Sequence, residues 1–198
     1  MINYSVKSGV TETELIKINE AELAQRLKTE IGYSNEEIEK CKAELLKVIS
    51  YKYAYIKVPV DLSEKDYVNL QFVKVKSNNL YKNLQGCNEA FVFAVTVGIG
   101  VDRLLARLNM MSQSKHFITD ALSSAAVESY CDYVNLAFQG DLKTKPRFSP
   151  GYGDLPLDIQ PDILNALSAD KTLGITLNSS LLMTPVKSIT AIMGVQSN

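Results

Sequence analysis

The segment Ala90–Val97 constrains most strongly what this chain can fold into. Phe91, Val92, Phe93, Ala94 and Val95 follow one another without a polar residue, so an extended segment here must be buried on both faces. This predicts a strand over Glu89–Val97 in the middle of a sheet. The strand ends in Gly98-Ile99-Gly100, which permits a tight turn into a helix over Val101–Met111. That turn has the outline of a phosphate-binding loop but the spacing of neither a Walker A nor a Rossmann fingerprint. Packing turn and phosphate turn are the two readings.

Other elements arrange themselves around this strand. Residues 1–18 read as an irregular or strand-like lead, and Asn19 as the cap of a helix reaching about Thr29. Ser34 and Glu37 have the capping-box spacing, which predicts a helix over Asn35–Ile49. Tyr51–Val60 and Tyr67–Val75 alternate in the manner of strands, and Leu80–Leu84 reads as a short helix. A long helix is expected over Lys115–Phe138, with Ile118, Leu122, Ala126, Tyr130 and Val134 as its buried stripe. Glu128 lies on another face, near Ala121, Ser124 and Ala125. It is either an ordinary solvated glutamate or a carboxylate around which small side chains leave room for a ligand. Further on come a helix over Asp158–Ala169, a short strand Leu173–Leu177, a turn Asn178–Pro185 and a last strand Lys187–Val195. Ile189, Ala191, Met193 and Val195 share one face of that strand, and Gly194 marks a bulge or a tight contact. The sum is an α+β chain of one domain, 1–198, with a helical part over 1–50 and the sheet, long helix and proline-rich loop over 51–198.

Composition excludes several classes of function. The 198 residues carry 21 basic and 22 acidic side chains, a formal net charge of -1, so no basic excess points to nucleic acid or an anionic membrane. The apolar stretches fall far short of the roughly 20 residues a membrane helix needs. The start, Met1–Thr13, has no apolar run behind basic residues, so the expected location is the cytoplasm. Cys41, Cys87 and Cys131 are odd in number and widely spaced, which fits neither a disulfide framework nor a CxxC metal site. The single histidine, His116, has no companion at metal-ligand spacing.

Residues 146–161 are the least ordinary part of the chain. Four of its six prolines fall here, with Gly151 and Gly153. Proline fixes φ and glycine opens positive φ, so the loop should be preset in shape. It can present Arg147, the Ser149 backbone and the Tyr152 ring in fixed places. A guanidinium donates two parallel hydrogen bonds to a carboxylate. The loop is therefore either a ligand site or a rigid connector with Arg147 paired to a nearby acid.

RFSPGYGDLPLDIQ (147–160) resembles the RxxPGY signature of the activation domain of cobalamin-dependent methionine synthase, and stand-alone bacterial relatives of it more closely still. LGITLNSSLLMTPVKSITAIMGV (173–195), FAVTVGIGVDRLL (93–105) and DALSSAAVESYCDYV (120–134) are similar to the corresponding family segments. The resemblance implies a curved, mainly antiparallel sheet flanked by helices. It implies S-adenosylmethionine as the ligand, with Arg147 on its carboxylate, Ser149 offering backbone contacts to the adenine, Tyr152 in the site and Glu128 facing the cationic part. The family also uses an aspartate near the domain's N-terminus, where this chain diverges. The resemblance further implies a protein that is not catalytic alone but acts in trans, supporting reductive methylation of cobalamin held by a partner. That partner would be the cobalamin-binding part of methionine synthase or another corrinoid protein, with a flavodoxin-like electron donor. No DxHxxG cobalamin motif is present in this sequence. A non-catalytic module serving another corrinoid methyl-transfer system is the alternative, and an independent methyltransferase would want the glycine-rich Rossmann turn that is missing.

Overall fold

A computed structural model of the protein describes residues 4–27 and 33–196. Strand β1 (Lys7–Thr11) leads into helices α1 (Glu20–Leu27) and α2 (Asn35–Leu46). Strands β2 (Tyr51–Pro59), β3 (Tyr67–Asn69) and β4 (Lys74–Lys76) follow, then α3 (Asn78–Asn83), β5 (Cys87–Thr96), α4 (Ile99–Met111) and α5 (Gln113–Gln139). The chain closes with α6 (Gln160–Ala166), α7 (Ala169–Thr172), the small strands β6 (Thr176–Leu177) and β7 (Met183–Thr184), and β8 (Ser188–Gln196).

The main sheet runs β1-β2-β5-β8, and every pairing is antiparallel. The apolar strand β5 is interior, as its composition requires, and it buries side chains on both faces. Phe91, Phe93 and Val95 join Ala191 and Met193 of β8 under α2, α4 and α5. Ala90, Val92 and Ala94 join Ile192 under α3, the β3–β4 hairpin, α6 and α7. The expected stripe of α5 (Ile118, Leu122, Ala126, Tyr130, Val134) lies wholly in the first of these cores. The fold is thus mixed helix and antiparallel sheet.

Local chemistry explains the boundaries. Asn19 Oδ1 accepts from the Ala21 and Glu22 N–H groups and starts α1; its expected end at Thr29 lies outside the described residues. The Ser34–Glu37 capping box forms in both directions and starts α2. That helix ends at Leu46 rather than Ile49, because Ser50 N–H must reach Val97 O to enter the sheet. The Gly98–Gly100 turn is a packing turn: a Cβ on Gly100 would lie 2.4 Å from the Val48 carbonyl oxygen.

The strand-like lead ahead of the helices in residues 1–50 is β1, which adds an edge strand to the sheet. Three expectations change. Tyr67–Val75 is not one strand but part of a hairpin, turned by Leu70 N–H to Val73 O with Gln71 at φ 68°. Asp158–Ala169 is broken: a 3₁₀ turn over Leu157–Ile159 precedes α6, and Ser168 at φ 48°, ψ 44° separates α6 from α7. The strand expected over Leu173–Leu177 shrinks to β6, which pairs with β7 inside the expected turn and stands apart from the main sheet.

Candidate functional site

Helix α5 places Asp120, Ser124, Glu128 and Asp132 four residues apart, so they form one polar line along the helix. Two cations from elsewhere in the chain settle on this line. Lys187, just before β8, donates from Nζ to Asp120 Oδ1 at 2.8 Å and to Ser124 Oγ at 2.8 Å. Arg147 donates from Nη2 to Glu128 Oε2 at 2.7 Å and from Nη1 to Asp132 Oδ1. Burial opposes the Arg147 charge, but Cys131, Asp132 and Glu128 beside it more than offset this and raise its pKa.

Arg147 is held in place from behind by the sheet. Lys145 N–H donates to Gly194 O, Phe148 and Ile192 exchange both backbone bonds, and Gln196 N–H donates to Lys143 O. Beyond it the loop folds on itself, with Gly151 N–H on Leu155 O and Leu155 N–H on Tyr152 O. Asp154 then ties the loop to α3. Its carboxylate accepts from Ser77 Oγ at 2.5 Å, Asn78 N at 2.8 Å and Asn79 N at 3.1 Å, and these bonds, Ser77 first, lower its pKa. Gly153 sits at φ 56°, with Asn79 Nδ2 2.3 Å from where a Cβ would stand. The Gly-Asp pair of the motif is therefore a fastening, while Arg147, Ser149 and Tyr152 face the opening.

These parts enclose a cavity of about 680 Å³, in the range of small-molecule sites. Glu128, Arg147, Ser149 and Tyr152, the four residues singled out in the sequence, all line it. Sequence reasoning missed Gln160 and Thr190, both buried, whose side chains are joined by Thr190 Oγ1 to Gln160 Oε1 at 2.9 Å. It also missed the apolar wall formed by Leu182, Met183 and Val186. That wall is fixed at its far end: Asp102 Oδ2 accepts from Val186 N–H, and Ser188 Oγ bridges Thr96 Oγ1 and Pro185 O. Asp132 was missed too, although its spacing from Glu128 was a usable signal. The cysteines and His116 take no part in the cavity lining. Among the described residues no cluster could hold a metal ion, and no helix is long and apolar enough to cross a membrane.

The sheet order, the two-sided core and the cleft between α5, the proline-rich loop and the β6–β7 hairpin define a fold of the methionine synthase activation-domain type. Among solved structures the chain is similar to "Crystal Structure of the MetH Reactivation Domain bound to AdoHcy", with a TM-score of 0.67 at 14% identity over 97% of this chain and 78% of that one. At that identity the likeness is one of fold. No protein-family model matches the chain, and no curated protein does.

Proposed function

We propose that this chain binds S-adenosylmethionine in the cleft and presents it to a cobalamin-carrying protein. The observation that carries the reading is the convergence of Arg147, Glu128, Ser149 and Tyr152 on one cavity in a fold shared with a reactivation domain. The donor set fits the ligand. Arg147 suits its carboxylate, Glu128 its cationic groups, and the Leu182–Val186 wall with the Tyr152 ring offers an apolar surface for a purine.

S-adenosylmethionine brings an activated methyl group on its sulfonium, and the residues of this chain bind and orient it. Their contribution is proximity rather than acid–base chemistry. The cobalamin comes from a partner acting in trans, the cobalamin-binding part of methionine synthase or another corrinoid protein, and the electron from a flavodoxin-like donor. A cytoplasmic location goes with such partners.

Calorimetric titration of the purified chain with S-adenosylmethionine tests the reading. One site per chain is expected, with affinity falling at least about tenfold in Arg147→Ala, since a half-buried charge-assisted pair is lost. Absence of binding by the wild type, or equal binding by the variant, overturns it.

A further inference from the structure

Glu128 and Arg147 balance each other in the cavity lining, and Asp132 at its outer edge adds a negative charge to the cluster. Arg147 is clasped by two carboxylates, Glu128 and Asp132, so the cluster of three groups holds one net negative charge. The neighbouring cation, Lys187, adds nothing to the balance because Asp120 neutralises it. The two carboxylates differ in setting. The Glu128 side chain is 31% exposed and lines the cavity, whereas that of Asp132 is 62% exposed and stands at the outer end of the line. A ligand carboxylate that pairs with the Nη groups of Arg147 competes with one of them. Asp132 can return to water at little cost, so its position on Nη1 is the one a ligand vacates.

We infer that Asp132 is a specificity-determining residue that makes the cleft select a sulfonium ligand over the corresponding neutral thioether; this rests on the function proposed above. The amino-acid part of either ligand is a zwitterion and leaves the site's charge unchanged. The sulfonium adds one positive charge and brings the occupied cleft to neutrality. With the thioether, the displaced carboxylate stays uncompensated beside Glu128. Asp132 therefore acts twice: it competes with the ligand's carboxylate for Arg147, and it attracts the ligand's cation once released.

These two actions give Asp132→Asn a signature that a merely structural residue would not have. At about 7 Å and a dielectric between water and protein surface, one unit charge is worth about fivefold in affinity. The preference for S-adenosylmethionine over S-adenosylhomocysteine should fall by about that factor. The thioether should bind more tightly than to wild type, because its competitor for Arg147 is weakened, while the sulfonium ligand gains nothing. Glu44→Gln serves as the control. It removes a carboxylate, 39% exposed, from a separate cluster with Arg107 and Lys115, and the preference should not move. Calorimetry with both ligands on the three proteins decides. If Asp132→Asn changes both affinities by the same factor, Asp132 only positions Arg147 and the inference fails while ligand binding stands. If wild type binds neither ligand, the proposed function fails and the inference falls with it.

Discussion

Replacing Gly194 by alanine tests whether the sheet is packed against the second core as tightly as the geometry requires. Gly194 lies opposite Ala90 in the β5–β8 ladder, on the same side of β8 as Ile192. A Cβ there would sit 2.7 Å from Cys87 Sγ and 2.7 Å from Leu84 Cδ2. Ordinary carbon contacts lie near 3.5–4.0 Å, so each neighbour must retreat by about 1 Å. Neither has free space toward solvent, since Leu84 is 0% and Cys87 4% exposed. Overpacking of this kind costs about 1–3 kcal/mol, and two such contacts put the expectation near 2 kcal/mol. In a chain of this size that lowers Tm by about 4–8 °C. Urea unfolding followed by circular dichroism should show the midpoint fall with the slope unchanged, because the surface exposed on unfolding is the same. Cys87→Ala removes one of the two obstacles. Combined with Gly194→Ala it should cost less than the sum of the single changes by about 1 kcal/mol. Strict additivity, or a Gly194→Ala protein within 0.5 kcal/mol of wild type, would refute the packing argument.

Two further expectations concern buried titratable groups. Burial pushes the thiols of Cys41 and Cys87 up, and that of Cys131 up to about 12, so a thiol reagent at pH 8 should label none in the native protein and all three in urea; rapid native labelling of Cys131 would contradict its burial. Tyr51 and Tyr130 are fully buried, their rings 4.8 Å apart, and burial raises both phenol pKa values well above the ordinary one. Their contribution to stability is therefore present below the unfolded value of about 10 and lost as pH climbs toward the folded ones. Thermal melts from pH 7 to 11 should show this alkaline fall. Tyr51 Oη has no hydrogen-bond partner among the described residues, so Tyr51→Phe should leave stability at pH 7 unchanged or raised and make the fall shallower.

Elements whose burial is symmetrical or strictly periodic were legible in the sequence. The unbroken apolar run of β5 and the five-residue stripe of α5 each admit one arrangement, and the structure has it. The four proposed ligand residues could be named because the resemblance to the RxxPGY family implies them, whereas the small residues around Glu128 alone left a solvated glutamate open; all four line one cavity. What could not be read depends on contacts between distant segments. Nothing local says that Asp102 would hold Val186, or that Thr190 and Gln160 would meet 30 residues apart. The β3–β4 hairpin looks like one strand in the sequence because its turn uses Gln71 rather than glycine or asparagine at positive φ. The break at Ser168 is equally silent, since serine carries no preference for the left-handed region.

The pairing of residues 143–148 with β8 has a consequence beyond placing Arg147. Without it, β8 would end the sheet on that side as a bare row of donors and acceptors, the kind of border on which other chains nucleate. The same short segment therefore serves recognition and keeps the protein from sticking to itself. A substitution that loosened it would be felt first as aggregation, in the cell or in the test tube, before any loss of ligand could be measured.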